Sequence, residues 1–218
     1  DEANLLCDVL GPHPRLVTCY GLYRSTSAVG LILSYAPGGD CQQLLQRHGA
    51  LSEQAVLGVG TQLAEALDYL HSHGVLHRDV KPENLLVTSL AGDSPSVRLC
   101  DFGHSAKVEL RQDHFRGTEV YAAPEVRRAP PPQPSSPPVW SAASDVWSAG
   151  AVLAVMAANA PFDDAQLARL RVGSALKLLL LQMVSPAPEQ RPDVARAYEN
   201  LVQLAEESQR RREMASLH

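Results

Sequence analysis

The stretch His77-Arg78-Asp79-Val80-Lys81-Pro82-Glu83-Asn84, followed downstream by Asp101-Phe102-Gly103, decides the reading of this chain, and everything around it can be placed outward from there. Immediately upstream, Ser52 caps a long helix in which Val56, Val59, Leu63, Leu67 and Leu70 recur at three- and four-residue steps until Gly74 stops it, so one face must be buried. Between the two motifs, Leu85 to Val87 and Val97 to Cys100 flank the polar turn Ala91-Gly92-Asp93-Ser94-Pro95, which predicts a small hairpin. Further upstream, Leu16 to Tyr23 and Ala28 to Tyr35 predict two antiparallel strands joined through Arg24-Ser25-Thr26-Ser27. Residues 1–10 read as the last turns of a helix closed by Gly11-Pro12, and a short helix is expected around Gln42 to Arg47, after the break at Pro37-Gly38-Gly39-Asp40. Downstream, Ser144 to Ala158 is apolar on nearly every face and predicts a helix sunk in the domain. Two more helices are expected over Leu176 to Val184 and Val194 to Ala205, the second with Pro192 in its first turn and a frayed charged tail from Gln209 to His218.

Composition narrows the class. The 218 residues are 45% hydrophobic and 20% charged, enough apolar material for one substantial core or two modest ones. A net charge of -5 argues against a nucleic-acid or anionic-lipid surface, and no apolar run is long enough to span a bilayer. Cys7, Cys19, Cys41 and Cys100 are scattered, without the spacing of a zinc site or the density of a disulfide scaffold, so a reducing compartment is expected.

The two motifs carry chemistry together. Phosphoryl transfer requires a carboxylate to orient the attacking hydroxyl and take its proton, a cation near the transferred group, and oxygen ligands for a Mg²⁺ ion bridging nucleotide phosphates. Asp79, Lys81, Asn84 and Asp101 supply these groups. From Glu2 to about Ala205 the chain resembles a eukaryotic-type protein kinase catalytic domain without the first part of its small lobe. The resemblance implies an α+β, protein-kinase-like fold. Residues 1–36 would be a partial N-terminal lobe and hinge, a helix and two strands left from a β-rich lobe. Residues 37–208 would be the mostly helical C-terminal lobe with a proline-rich insertion over 129–138, and 209–218 a charged tail.

The same resemblance implies an ATP- and Mg²⁺-dependent protein serine/threonine kinase. Asp79 would be the catalytic base, Lys81 would steady the phosphoryl group, and Asn84 and Asp101 would hold Mg²⁺. Gly117-Thr118, Tyr121 and Ala123-Pro124-Glu125 match the end of the family's activation segment, with Thr118 bonding Asp79 and Lys81. Leu33 would be the gatekeeper, Ser34, Tyr35 and Ala36 the hinge that receives adenine, Leu86 the floor beneath the base, and Glu2 the partner of the ATP-binding lysine. Glu125 would pair with Arg191, and Asp145 would hold the backbone of the catalytic loop. Each is expected to be buried, so that losing one partner costs about 3 to 5 kcal/mol.

The chain also departs from the family pattern. The Gly-rich loop and the strand-borne lysine would precede Asp1, so the chain is expected to be a piece of a longer protein; a partner-binding pseudokinase is the alternative. The segment from Gly103 to Ala123 lacks the usual phosphorylation site, and Glu109 or Asp113 would offer Arg78 a fixed negative charge. Short segments here resemble those of the mitogen-activated kinase kinase kinase group, and the shortened stretch between Phe162 and Arg191 implies a reduced docking helix. Protein substrates bearing Ser or Thr and a cytoplasmic location are expected. Pro130 to Pro138 fits a polyproline II ligand for an SH3 or WW domain, although a solvated insertion is the preferred reading. His71, His73 and His77 read as structural rather than metal-binding, Cys100 as a small strand residue rather than a reactive thiol, and Arg210-Arg211-Arg212 as a solvated helix end.

Overall fold

The structure, a computed structural model, describes residues 2, 5–90, 94–107, 117–127 and 140–216, with only the backbone given at 7, 8 and 164–166. Glu109, Asp113 and the proline-rich stretch lie outside the described residues. The chain opens with a π-helical segment, Leu5–Leu10, where one helix end was expected, and its Leu6 and Leu10 are buried. Strands β1 (Cys19–Arg24) and β2 (Val29–Leu33) pair antiparallel, the hairpin expected from the sequence. Leu16 and Val17, expected in the first strand, instead join the second hairpin: the Val17 amide donates to the Leu99 carbonyl at 2.9 Å, and the Leu99 amide to the Arg15 carbonyl at 2.8 Å. They are almost completely buried, so the requirement for burial overrides the local strand register.

Helix α1 (Cys41–His48) begins at Asp40, whose carboxylate accepts from the Gln43 amide, and α2 (Glu53–Ser72) begins at Ser52, whose hydroxyl accepts from the Ala55 amide. Short strand β3 (Val75–Leu76) leads into the decisive stretch, which ends in a 3₁₀ turn over Pro82–Asn84. Strands β4 (Leu85–Ser89) and β5 (Ser96–Leu99) form the expected hairpin. Strand β6 (Ala106–Lys107) pairs with β3, a two-residue ladder too short to leave a sequence pattern. A 3₁₀ turn at Glu119–Tyr121 precedes the short helix α3 (Pro124–Arg127).

Helix α4 (Ala142–Ala158) is buried on every side from Ser144 to Met156, as its uniform apolarity requires. Around it pack α2, α6 (Ser174–Met183) and α7 (Val194–Ala215), while α5 (Asp164–Arg169) is a short helix that the sequence pattern did not reveal. Two expectations about α7 are corrected. Asp193, not Pro192, sets its start, because the Asp193 carboxylate accepts from the Arg196 amide. The tail also stays helical to Ala215, where Glu206 meets Arg210 and Glu207 meets Arg211 one turn apart. No helix among the described residues is long and apolar enough to cross a membrane.

The segment leading into α3 is fastened to this helical core by an ion pair. The Arg191 guanidinium grips both oxygens of Glu125 at 2.7 and 2.8 Å, donates to the Ala143 and Ser185 carbonyls, and lies 5.0 Å above the Trp147 ring. The Arg191 side chain is wholly buried, and burial opposes the Glu125 charge, but Arg191 and the Ser144 hydroxyl hold its carboxyl below the usual range. Arg191→Met, which keeps the volume and removes the charge and donors, is expected to cost about 3–5 kcal/mol, read from the shift of a urea unfolding midpoint at neutral pH. A change under about 1 kcal/mol would contradict this role.

Candidate active site

The backbone at His77 and Arg78 is set by a carboxylate from the buried helix. Asp145 on α4 accepts the His77 amide on Oδ2 and the Arg78 amide on Oδ1, both at 2.9 Å, and takes a further 2.9 Å hydrogen bond from His71 Nε2. Burial alone would raise the Asp145 pKa, but the His71 hydrogen bond and the neighbouring charges and amides bring it below the usual carboxylate value. The clamp holds Arg78 at φ 67, a left-handed conformation that residues other than glycine rarely adopt. His71, a structural residue in the sequence reading, is the third partner of Asp145; that role has no sequence signal, because the contact spans 74 positions.

His77 extends the same framework. Burial lowers its pKa against the pull of Asp145, so the ring is neutral, with Nε2 donating to the Cys100 carbonyl at 3.0 Å and Nδ1 accepting from the Asp79 amide at 3.3 Å. Its edge packs on Phe102, whose amide donates to the Glu2 carboxylate at 3.0 Å. The structure thus brings Glu2 to the Asp101-Phe102-Gly103 turn. Arg78 is buried with its guanidinium 5.7 Å above the Trp140 ring.

Asp79, Lys81 and Thr118 converge as expected from the sequence. Lys81 Nζ lies 2.6 Å from Asp79 Oδ2 and 3.1 Å from Thr118 Oγ1, and Thr118 donates to Asp79 Oδ1 from both its amide and its hydroxyl at 2.8 Å. Burial opposes the Asp79 charge, but the Lys81 and Thr118 hydrogen bonds win and lower its pKa. Burial likewise works against the Lys81 ammonium, and the Asp79 carboxylate overcomes it and raises the pKa, with Glu83 and Asp101 adding to the effect. Gly117 makes this approach possible: it sits at φ 115, and a Cβ there would lie 2.5 Å from the Arg78 carbonyl oxygen.

Buried Asn84 donates from Nδ2 to the Asp79 carbonyl at 2.8 Å, which leaves its side-chain oxygen as the group able to meet a cation. Asp101, exposed at φ 62, accepts from the Gly103 amide at 3.3 Å and is close enough to Lys81 to act on its charge. Leu33 ends β2, and the Ser34 amide is taken by the Thr18 carbonyl at 2.8 Å. Tyr35 is 87% exposed, Ala36 accepts from the Gly39 amide, and Leu86 on β4 bridges to Asp40 just beyond this connection. Gly38 is obligatory there, because a Cβ would lie 2.6 Å from the Val87 side chain.

No cluster of three or more His, Cys, Asp or Glu among the described residues is arranged to hold a metal. Burial pushes the Cys100 thiol up to about 12, so it is not a thiolate nucleophile.

Asp145, Asp79 and Glu125 all have folded-state pKa values below those of ordinary carboxylates. Their contribution is therefore present above the unfolded value of about 4 and is lost as pH falls through the lower folded values. Unfolding midpoints are expected to drop as pH is taken from 6 towards 3, and Asp145→Asn, though less stable at pH 6, is expected to show a smaller drop. An equal drop in both proteins would remove Asp145 from this account.

The protein kinase domain model matches residues 1–212. CBL-interacting protein kinase 11 of Oryza sativa subsp. japonica is 38% identical over 161 residues, which are 71% of this chain and 30% of that protein. The serine/threonine-protein kinase RAD53 of Saccharomyces cerevisiae is 34% identical over 160 residues, 69% of this chain and 19% of that protein. The chain thus spans less than half the length of either relative. A crystal structure of Rad53 residues 1–466 in complex with AMP-PNP superimposes with a TM-score of 0.73 at 25% identity, covering 91% of this chain and 53% of that one. With the family model matched almost end to end, the chain belongs to the protein kinase domain family.

Proposed function

We propose that the chain carries the catalytic core of an ATP- and Mg²⁺-dependent protein serine/threonine kinase. The observation that carries this reading is the sharing of Asp79 between Lys81 and Thr118. With its pKa held low, Asp79 is ionised at neutral pH. One of its oxygens can orient a substrate serine or threonine hydroxyl and take its proton as the oxygen–phosphorus bond forms. Lys81 stays cationic and offsets negative charge on the transferred group while the bond to the nucleoside diphosphate breaks.

The donor set fits a magnesium–nucleotide complex. Mg²⁺ favours a few protein oxygens supplemented by phosphate and water, and Asn84 Oδ1 with the Asp101 carboxylate supplies such a pair. When bound, the ion neutralises phosphate charge; Asn84 is oriented for that contact by its bond to Asp79, and Asp101 by the turn through Gly103. The adenine would lie between Leu33 and Leu86. Because the Ser34 amide is already spent on Thr18, the base would draw on the backbone of Tyr35 and Ala36. We place the boundary between a partial small lobe and the helical lobe at this connection, after residue 36. Cys19, Cys41 and Cys100 are free thiols, which supports a reducing, cytoplasmic setting.

Asp79→Asn in the native protein is expected to lower transfer of radiolabelled γ-phosphate to Ser/Thr peptides by roughly 10²–10⁴-fold, the usual contribution of a positioned base, while the protein still folds and unfolds cooperatively. Thr118→Ser is expected to retain most activity and Thr118→Ala to lose it. Undiminished transfer by Asp79→Asn would overturn the assignment.

A further inference from the structure

Arg78 is met at both ends by the start of α4. Its amide donates to Asp145 Oδ1 at 2.9 Å, and its guanidinium, almost wholly buried, lies 5.7 Å above the Trp140 ring. Trp140 immediately precedes Ser141, which caps α4: the Ser141 amide donates to the Ser144 hydroxyl at 3.2 Å, and that hydroxyl donates on to Glu125. The indole is half-buried against the hydrophobic core, so it is fixed together with the helix it precedes. Between these two holds, the Arg78 carbonyl oxygen lies against Gly117, where a Cβ would come within 2.5 Å of it. The next residue along the chain is Asp79.

An arginine keeps its proton at any working pH, so Arg78 cannot escape the cost of burial by becoming neutral, as a buried lysine can. The electron-rich face of an indole returns part of that cost, and returns more of it where water is excluded. An aliphatic side chain would fill the same space without meeting the charge, and the guanidinium would be drawn towards solvent. Such a movement pulls on a backbone held at φ 67, one residue before a carboxylate whose oxygens lie 2.6 Å from Lys81 Nζ and 2.8 Å from the Thr118 hydroxyl. A reacting group in that position loses rate steeply with small displacements.

We propose that Trp140 is a positioning residue for Asp79: its indole face holds the Arg78 cation against the start of α4, so that the turn presenting Asp79 is fixed through side chain as well as backbone. The proposal rests on the kinase reading for the consequence in rate, because it takes Asp79 to act on a substrate hydroxyl.

The test replaces Trp140 of the native protein, by site-specific incorporation, with tryptophans carrying one, two and four fluorine atoms. Fluorine withdraws charge from the ring face and changes its shape little, so packing is kept while the attraction for a cation is weakened. Phosphate transfer to a Ser/Thr peptide is expected to slow step by step along the series, with kcat down about tenfold at four fluorines and KM changed by less than about twofold. Independently of any activity, the Thr118 amide, which donates to Asp79 Oδ1 at 2.8 Å, is expected to exchange its hydrogen about tenfold faster in the four-fluorine protein, while amides in the middle of α4 keep their rates. A kcat that stays level along the series overturns the proposal, even where Trp140→Leu lowers it, because the ring would then act by packing alone. A kcat that falls with no change in Thr118 exchange overturns it as well. Faster Thr118 exchange in a protein that transfers no phosphate upholds the positioning role and overturns the kinase reading, whereas transfer and exchange that both ignore the fluorines do the reverse.

Discussion

The Asp145 carboxylate is the constraint on which the site depends. It is buried in the helical core and carries a charge there because two backbone amides and an imidazole surround it. A lone carboxylate in that position would take up a proton or unfold the helix around it. In return, it fixes His77 and Arg78 so firmly that Arg78 keeps a left-handed backbone, and the chain turns sharply enough to present Asp79 towards Lys81 and Thr118. The rigid element is therefore α4, and the reactive loop is hung from it. This is a sound arrangement for chemistry that tolerates little misplacement of the reacting atoms.

A second constraint closes the site from the other side. Glu125 and Arg191 tie the segment after Thr118 to the start of α4 and the connection before α7, and Ser148 on α4 donates to the Tyr121 carbonyl at 2.8 Å. With Gly117 allowing the backbone to pass close to Arg78, Thr118 is held between two anchored segments. The upper side is joined through fewer groups: residues 15–17 ladder onto β5, Arg15 pairs with Glu65, Tyr69 donates to the Leu10 carbonyl, and Glu2 accepts from Phe102. These contacts link the first part of the chain directly to the turn that carries Asp101.

Much of this was legible in the sequence, for identifiable reasons. Helix α2 announced itself through Ser52 and a repeating apolar stripe, α4 through an apolarity so uniform that only a central position could satisfy it, and the paired motifs through their order along the chain. The contacts of Asp145, Glu125 and Arg191 followed from the family resemblance, not from local pattern. What escaped the reading was either too short or too distant in sequence. The β3–β6 ladder has two residue pairs, α5 has six residues, and the His71–Asp145 contact joins helices far apart in the chain. The end of α7 was different: the spacing of Glu206 with Arg210 and Glu207 with Arg211 carried the helical signal, and it was read as a solvated tail because charge alone suggested fraying.

The central claim is that Asp79, Lys81, Asn84 and Asp101 form one phosphoryl-transfer site. Its most direct test is a crystal structure of the native protein grown with a non-hydrolysable ATP analogue and Mn²⁺ in place of Mg²⁺, with the metal located by its anomalous scattering. The account predicts a metal peak within about 2.3 Å of both Asn84 Oδ1 and an Asp101 oxygen, with the terminal phosphate directed towards Lys81 and Asp79. A nucleotide bound with its metal away from Asn84 and Asp101, or no nucleotide at saturating concentration, would contradict it.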